Sequence, residues 1–259
     1  MKRLLGFALA VAMIATACSD ETTNPTPTDS YVSGTAGSYT IFNLTYIEID
    51  TNGVRQEYPA GTDSVVAGAK VNVTDGAGST KMAVPYVHHD AGTAIDTAYF
   101  AEDGAKMYVL YDLSFAAPGV APVELGTRWV LIADQNATGT FTGLDMVIED
   151  ITIDYNGTAL PADVAFKITG QKKGSENLTI GGKSVSALRY ENTYGITITV
   201  TVPIIGAIPI PINVVTTAKY GKGIGLVYEA QEPTPIAVPQ LGFDFTLPGY
   251  RAEATAVSN

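Results

Sequence analysis

Two histidines are the whole imidazole supply of this chain, and they stand side by side as His88-His89, followed by Asp90. That trio is the one adjacent set of groups that could ligate a metal or shuttle a proton. Consecutive residues of a strand point to opposite faces, so both rings could meet one ion only from a loop. Asp96 is a further carboxylate nearby, but a zinc site needs a compact set of His, Cys or carboxylate ligands, and no such spacing follows. A serine hydrolase would have to use His88 or His89 as its base, and no Gly-x-Ser-x-Gly elbow accompanies them. Asp145, Glu149 and Asp150 fall on strand-like segments, where a solvated face is the ordinary role of a carboxylate. Gly181-Gly182 and the glycines at 221, 223 and 225 precede neither a helix nor a Lys-Ser/Thr pair, so they read as turns and not as phosphate loops. The residues therefore point to a non-enzyme with no metal and no cofactor, His88, His89 and Asp90 being the remaining metal candidates.

A second set of residues suggests contact and not catalysis. The stretch from Val202 to Val215 reads VPIIGAIPIPINVV, with Ile204, Ile205, Ile208 and Ile210 set around prolines that obstruct regular ladder pairing. An apolar hairpin tip or loop is expected there, and water penalises such a tip when it is exposed. Either it folds back to plug the sheet, or these four isoleucines meet a partner, a lipid or an apolar ligand.

The N-terminus supplies the remaining chemistry. Lys2 and Arg3 form a positive start, Leu4 to Ile14 an apolar run, and Ala15-Thr16-Ala17 a small-residue end. The run is shorter than the ~20 residues a membrane-crossing helix needs. Directly after it comes Cys18, the single cysteine. A small-residue triplet before a lone Cys resembles the lipobox of bacterial lipoproteins, although Ala15 stands where Leu is more usual. The resemblance implies that residues 1–17 are removed, that the Cys18 thiol is acylated, and that the membrane is a partner through that lipid. The Ser-Asp-Glu after the Cys is similar to the start of lipoproteins that Gram-negative bacteria export to the cell surface, which implies an outer-membrane location on its periplasmic side or at the surface.

Residues 19–30, SDETTNPTPTDS, hold almost nothing that could be buried, and Gly34 to Gly37 add a flexible joint, so 18–37 is expected to be a tether. Loss of residues 1–17 removes two of the 15 basic residues and none of the 26 acidic ones, leaving a net charge of −13. Such a surface repels phosphate backbones, which argues against nucleic acid as a partner. No cysteine remains for a disulfide, so stability must come from core burial.

One stretch organises the elements that carry these residues. From Tyr194 to Val202 the alternation is strict: Ile196, Ile198 and Val200 take one side, and Thr197, Thr199 and Thr201 the other. Elsewhere, short β-branched and aromatic runs recur between turn signals such as Asn52-Gly53 and Asn156-Gly157. With 26 Gly and 14 Pro, almost no window is left for a helix beyond a short one near Leu160 to Ala165. The expected fold is all-β: residues 38–259 as one domain, a large, twisted antiparallel sheet forming an open barrel or half-barrel, or alternatively a β-sandwich. The hairpin from Thr216 to Glu229, TTAKYGKGIGLVYE, resembles one common in envelope lipoproteins with half-barrels similar to LolA, LolB and LppX. That resemblance implies a non-enzymatic, lipid-anchored envelope protein that binds a hydrophobic or lipid-like molecule or acts structurally. The alternatives are a surface adhesion or assembly module meeting an envelope protein or glycan, and a hydrolase built on His88 and His89.

Overall fold

The computed structural model describes residues 29–258 apart from 91, 118–119, 156 and 239–242. Cys18, the signal segment, most of the tether and Asn156 lie outside the described residues. The chain forms β1 (Tyr39–Ile49), β2 (Arg55–Ala67), β3 (Val71–Thr74), β4 (Thr80–Asp90), β5 (Thr93–Asp103) and β6 (Lys106–Asp112). It continues through β7 (Phe115–Ala117), β8 (Val120–Val123), β9 (Thr127–Asp134), β10 (Thr140–Tyr155), β11 (Thr158–Ile180) and β12 (Lys183–Val202). The last five are β13 (Gly206–Gly221), β14 (Gly225–Gln231), β15 (Thr234–Val238), β16 (Phe243–Leu247) and β17 (Gly249–Val257). No helix occurs among the described residues, and the segment near Leu160 to Ala165 is part of β11, not a helix.

All but two strands join one antiparallel sheet in the order β7-β8-β10-β11-β12-β13-β14-β17-β1-β2-β4-β5-β6-β9, with β3 added to β4. The sheet curls until β9 packs against β10 and β11 without a ladder between them, so it is a barrel closed everywhere except at one seam. Gly143 lets the seam close this far, because a Cβ there would collide with the Leu131 carbonyl oxygen of β9. Period-two patterning builds the wall: Ala162, Val164, Phe166 and Ile168 of β11 are buried while Asp163 and Lys167 face out. Two inner layers result. One holds Val130, Ile168, Tyr190, Tyr220 and Val227. The other, where β10 to β13 run on past the shorter strands, holds Phe166, Ile198, Ile208 and Ile210 under the β15–β16 hairpin.

The tether expected over 18–37 does not extend that far. Tyr31 and Val32 are buried in the first layer. Ser30 Oγ and the Tyr31 and Val32 amides all donate to the Glu102 carboxylate, at 2.5, 2.6 and 3.1 Å. The Gly223 amide donates to the Ser30 carbonyl at 2.7 Å, and the Ser33 amide donates to the Tyr86 hydroxyl at 2.6 Å. Residues 29–33 are thus a strap across one end of the barrel, its base, and the folded unit begins there and not at 38.

The apolar stretch after Val202 is likewise more regular than expected. Only Pro203 to Ile205 form a turn, and Gly206 onward is β13, with Pro209 and Pro211 opposite Thr199 and Thr197. Both prolines have the same parity, so their missing N–H groups face the same side. There β14 begins pairing only at Thr216, leaving the β13 edge open. Pro59 sits within β2 for the same reason, since β4 pairs with β2 only from Ser64 to Ala67.

Candidate functional site

Toward the end opposite the strap, the mouth, the barrel interior carries a band of polar side chains. Its residues arrive there by strand phase. Asp63 is two residues before buried Val65 on β2, and His88 is two after Tyr86 on β4. Asn192 and Tyr194 follow Tyr190 in phase on β12, and Glu229 follows Val227 on β14. A polar residue at an inward position is therefore what the site consists of.

His88 Nδ1 lies 2.6 Å from Asp63 Oδ2, while the second oxygen, Asp63 Oδ1, is buried without a partner. His89, on the opposite face of β4, takes no part, and a bulge at this point places Asp96 across from His88. The trio is thus strand and not the loop from which both rings could meet one ion, and its two rings diverge. Among the described residues no three His, Cys, Asp or Glu side chains gather as a metal site.

Deeper in, the Tyr111 and Tyr194 rings stack with centroids 5.7 Å apart. The Glu229 carboxyl lies against the Tyr250 hydroxyl, and burial pushes it above the ordinary carboxylate range despite that hydroxyl and the nearby His88. Burial likewise pushes the Tyr194 and Tyr250 phenols up, with the Glu229 charge adding to both. None of these phenols serves as a base near neutral pH. At the floor, Asn192 and Thr216 face each other across β12 and β13, 2% and 5% exposed. Neither Asn192 Oδ1 nor Thr216 Oγ1 has a hydrogen-bond partner of sound geometry, although Thr216 Oγ1 lies beside the Tyr194 hydroxyl. A small ≈ 10 Å³ cavity at the other end, lined by Tyr31, Met107, Gln135 and Tyr190, has room for about one water.

The isoleucine candidates divide. Ile204 and Ile205 cap the β12–β13 turn at 108% and 64% exposure, and Ile204 holds φ at 73°, a rare conformation for a β-branched residue. Ile208 and Ile210 are instead core, at 6% and 8%, and are not free to touch a partner. Cys18 lies outside the described residues. The sequence reading missed Glu229, Asn192, Tyr194 and Thr216. The signal that finds them is a carboxylate, amide or hydroxyl in the buried phase of an alternating strand.

No protein family matches the chain, and no curated protein matches it by sequence. Among solved structures it is similar to a presumed lipoprotein from Parabacteroides distasonis ATCC 8503, at 12% identity and a TM-score of 0.42. The match covers 89% of this chain and 99% of that one.

Proposed function

We propose that this protein is a non-enzymatic, lipid-anchored module of a bacterial envelope, held at the outer membrane by an acylated Cys18 and binding its partner at the end turned away from the lipid. The observation that carries this reading is the strap. Cys18 precedes Asp29 by only eleven residues, a reach of at most ~40 Å, and the chain then passes straight into the base of the barrel. An anchor at Cys18 would hold that base near the bilayer, with the mouth and the Ile204-Ile205 tip facing outward.

A lipid-like ligand inside the barrel, the first expectation, would have to displace Tyr190, Tyr220, Ile168 and Val130, which fill the interior near the base. Binding is therefore assigned to the mouth. A second reading, an adhesion or assembly module, is favoured by one observation: the exposed tip with Ile204 at positive φ.

Feeding a clickable palmitate to cells that express the protein tests the anchor. Wild type should carry label and sediment with outer membranes, and Cys18→Ser should lose both. Unlabelled wild-type protein sinks the anchor.

A further inference from the structure

The acidic excess of the chain is not spread evenly along the barrel. Turns at the base are located by their hydrogen bonds to the strap and the chain ends. The Gly223 amide donates to the Ser30 carbonyl, Gln135 Nε2 to the Asp29 carbonyl at 3.1 Å, Lys183 Nζ to the Val257 carbonyl at 3.2 Å, and the Gly37 amide to the Ala67 carbonyl at 2.7 Å. Four of these turns carry an exposed lysine: Lys70 between β2 and β3, Lys106 at the β5–β6 turn, Lys183 at the β11–β12 turn and Lys222 at the β13–β14 turn. The carboxylates around them are engaged. Asp29 pairs with Lys222, Glu102 is enclosed by the strap, and Asp103 and Asp134 flank Lys106 in the two ladders.

The turns of the opposite end are acidic, with Asp50, Asp90, Asp112, Glu124, Asp154 and Glu232, and Arg55 beside them is held by Glu57 and Glu232. Charges are screened over ~8 Å at physiological ionic strength. By contrast β12 alone has 20 residues, ~65 Å of strand at ~3.3 Å each. Each end therefore presents its own charge, and the overall acidity of the chain does not decide what the base can touch.

The N-terminal chain decides what the base is brought to. It leaves the barrel at Asp29, beside Lys222, and Cys18 lies eleven residues further out. Residues 19–28 include Asp20 and Glu21 but no cation, so attraction to a phosphate surface has to come from the base lysines. We propose that the base of the barrel is a docking surface for a phospholipid bilayer, with Lys70, Lys106, Lys183 and Lys222 against the headgroup phosphates and the acidic mouth held away. This deepens the reading of the protein as a lipid-anchored module and rests on it. A tether alone leaves the barrel free to tumble within its reach. The lysines set it upright, as compact point charges that meet phosphate without a fixed geometry.

Cys18 is the single cysteine, so the mature chain from residue 18 can be coupled through that thiol to maleimide-bearing vesicles, whether or not cells acylate it. A missing palmitate label thus strikes the anchor and leaves this test standing. Acetylation by an uncharged N-hydroxysuccinimide ester is followed lysine by lysine by mass spectrometry. Vesicles of phosphatidylcholine are compared with vesicles containing roughly one third phosphatidylglycerol. The four base lysines should react about fivefold more slowly on the anionic vesicles, and about 0.5 M sodium chloride should remove the difference. Lys167, exposed on the outer wall of β11, should react equally on both. Lys70→Gln combined with Lys106→Gln should roughly halve the protection at Lys183 and Lys222. The proposal is overturned by equal base-lysine rates on the two vesicles, by undiminished protection in the double variant, or by Lys167 protected as strongly as the base, which would mean that the barrel lies on its side.

Discussion

The base and the mouth of the barrel each present a glutamate, and the two are treated in opposite ways. At the base, Glu102 receives one hydroxyl and two backbone amides from the strap, all supplied by residues 30–32. At the mouth, Glu229 has the Tyr250 hydroxyl and the nearby His88 imidazole, and burial still holds its carboxyl above the ordinary carboxylate range. Charged hydrogen bonds from a preformed backbone turn make a carboxylate structural. A carboxyl with a single hydroxyl partner in the same barrel is instead pushed by burial toward its protonated form. The difference lies in chain supply, since the N-terminal segment brings backbone amides to Glu102, whereas β7, β8 and the β15–β16 hairpin bring apolar side chains onto the second layer.

The largest expected effect is at the base. Glu102→Ala should strand the Tyr31 and Val32 amides and loosen the strap, costing about 3 kcal/mol in urea unfolding. Limited proteolysis of that variant should then cut between residues 29 and 37, where wild type resists. A loss below about 1 kcal/mol would break the contrast, because Glu102 would then be no better served than Glu229.

The second effect has the opposite sign and depends on pH. Burial raises the Glu229 carboxyl, so its contribution to stability is fully present below the ordinary carboxylate value and is lost as pH rises through the raised folded-state value. Glu229→Gln, which cannot ionise, should therefore be more stable than wild type at pH 8, by about 2–4 °C for a gain of ~1 kcal/mol in a chain of this size. The two should converge near pH 4. A Glu229→Gln protein less stable than wild type at both pH values would show that the ionised carboxylate is already satisfied. Asp75 behaves in the reverse sense: burial opposes its ionisation, yet amides of Ser79, Trp129 and Ala77 outweigh it and hold the carboxyl low. Its contribution is present above the ordinary carboxylate value and is lost as pH falls through the lowered one. Acid should thus release the β3–β4 turn that covers Trp129.

How far the sequence reaches follows the same division. The barrel wall was legible, because strict alternation in β12 and the Asn52-Gly53 turn follow from local rules, and the all-β antiparallel sheet was read from them. The prolines of β13 misled, because Pro209 and Pro211 look like ladder breakers until the sheet order shows that their nitrogens face an open edge. On that account Ile208 and Ile210 could equally plug the sheet or meet a partner, and they are core. The strap was missed because SDETTNPTPTDS reads as solvated chain up to its last residue, and nothing local says that Tyr31 and Val32 find a cavity formed by strands 70 and 190 residues later. Glu229 was missed for a related reason. Its inward phase is visible in GLVYEAQ, but that inward means the mouth of a barrel depends on long-range closure.

The smallest effect lies beyond the mouth, at the β12–β13 tip. Ile205 is largely exposed and packs on neither inner layer, so Ile205→Asp should change unfolding free energy by less than ~0.5 kcal/mol. If the tip meets another surface, the same substitution should abolish adhesion of expressing cells while the unfolding free energy stays at its wild-type value. Unfolding of Ile205→Asp would mean that the tip packs down onto the second layer in solution, so that the β12–β13 turn is part of the core and not a contact surface.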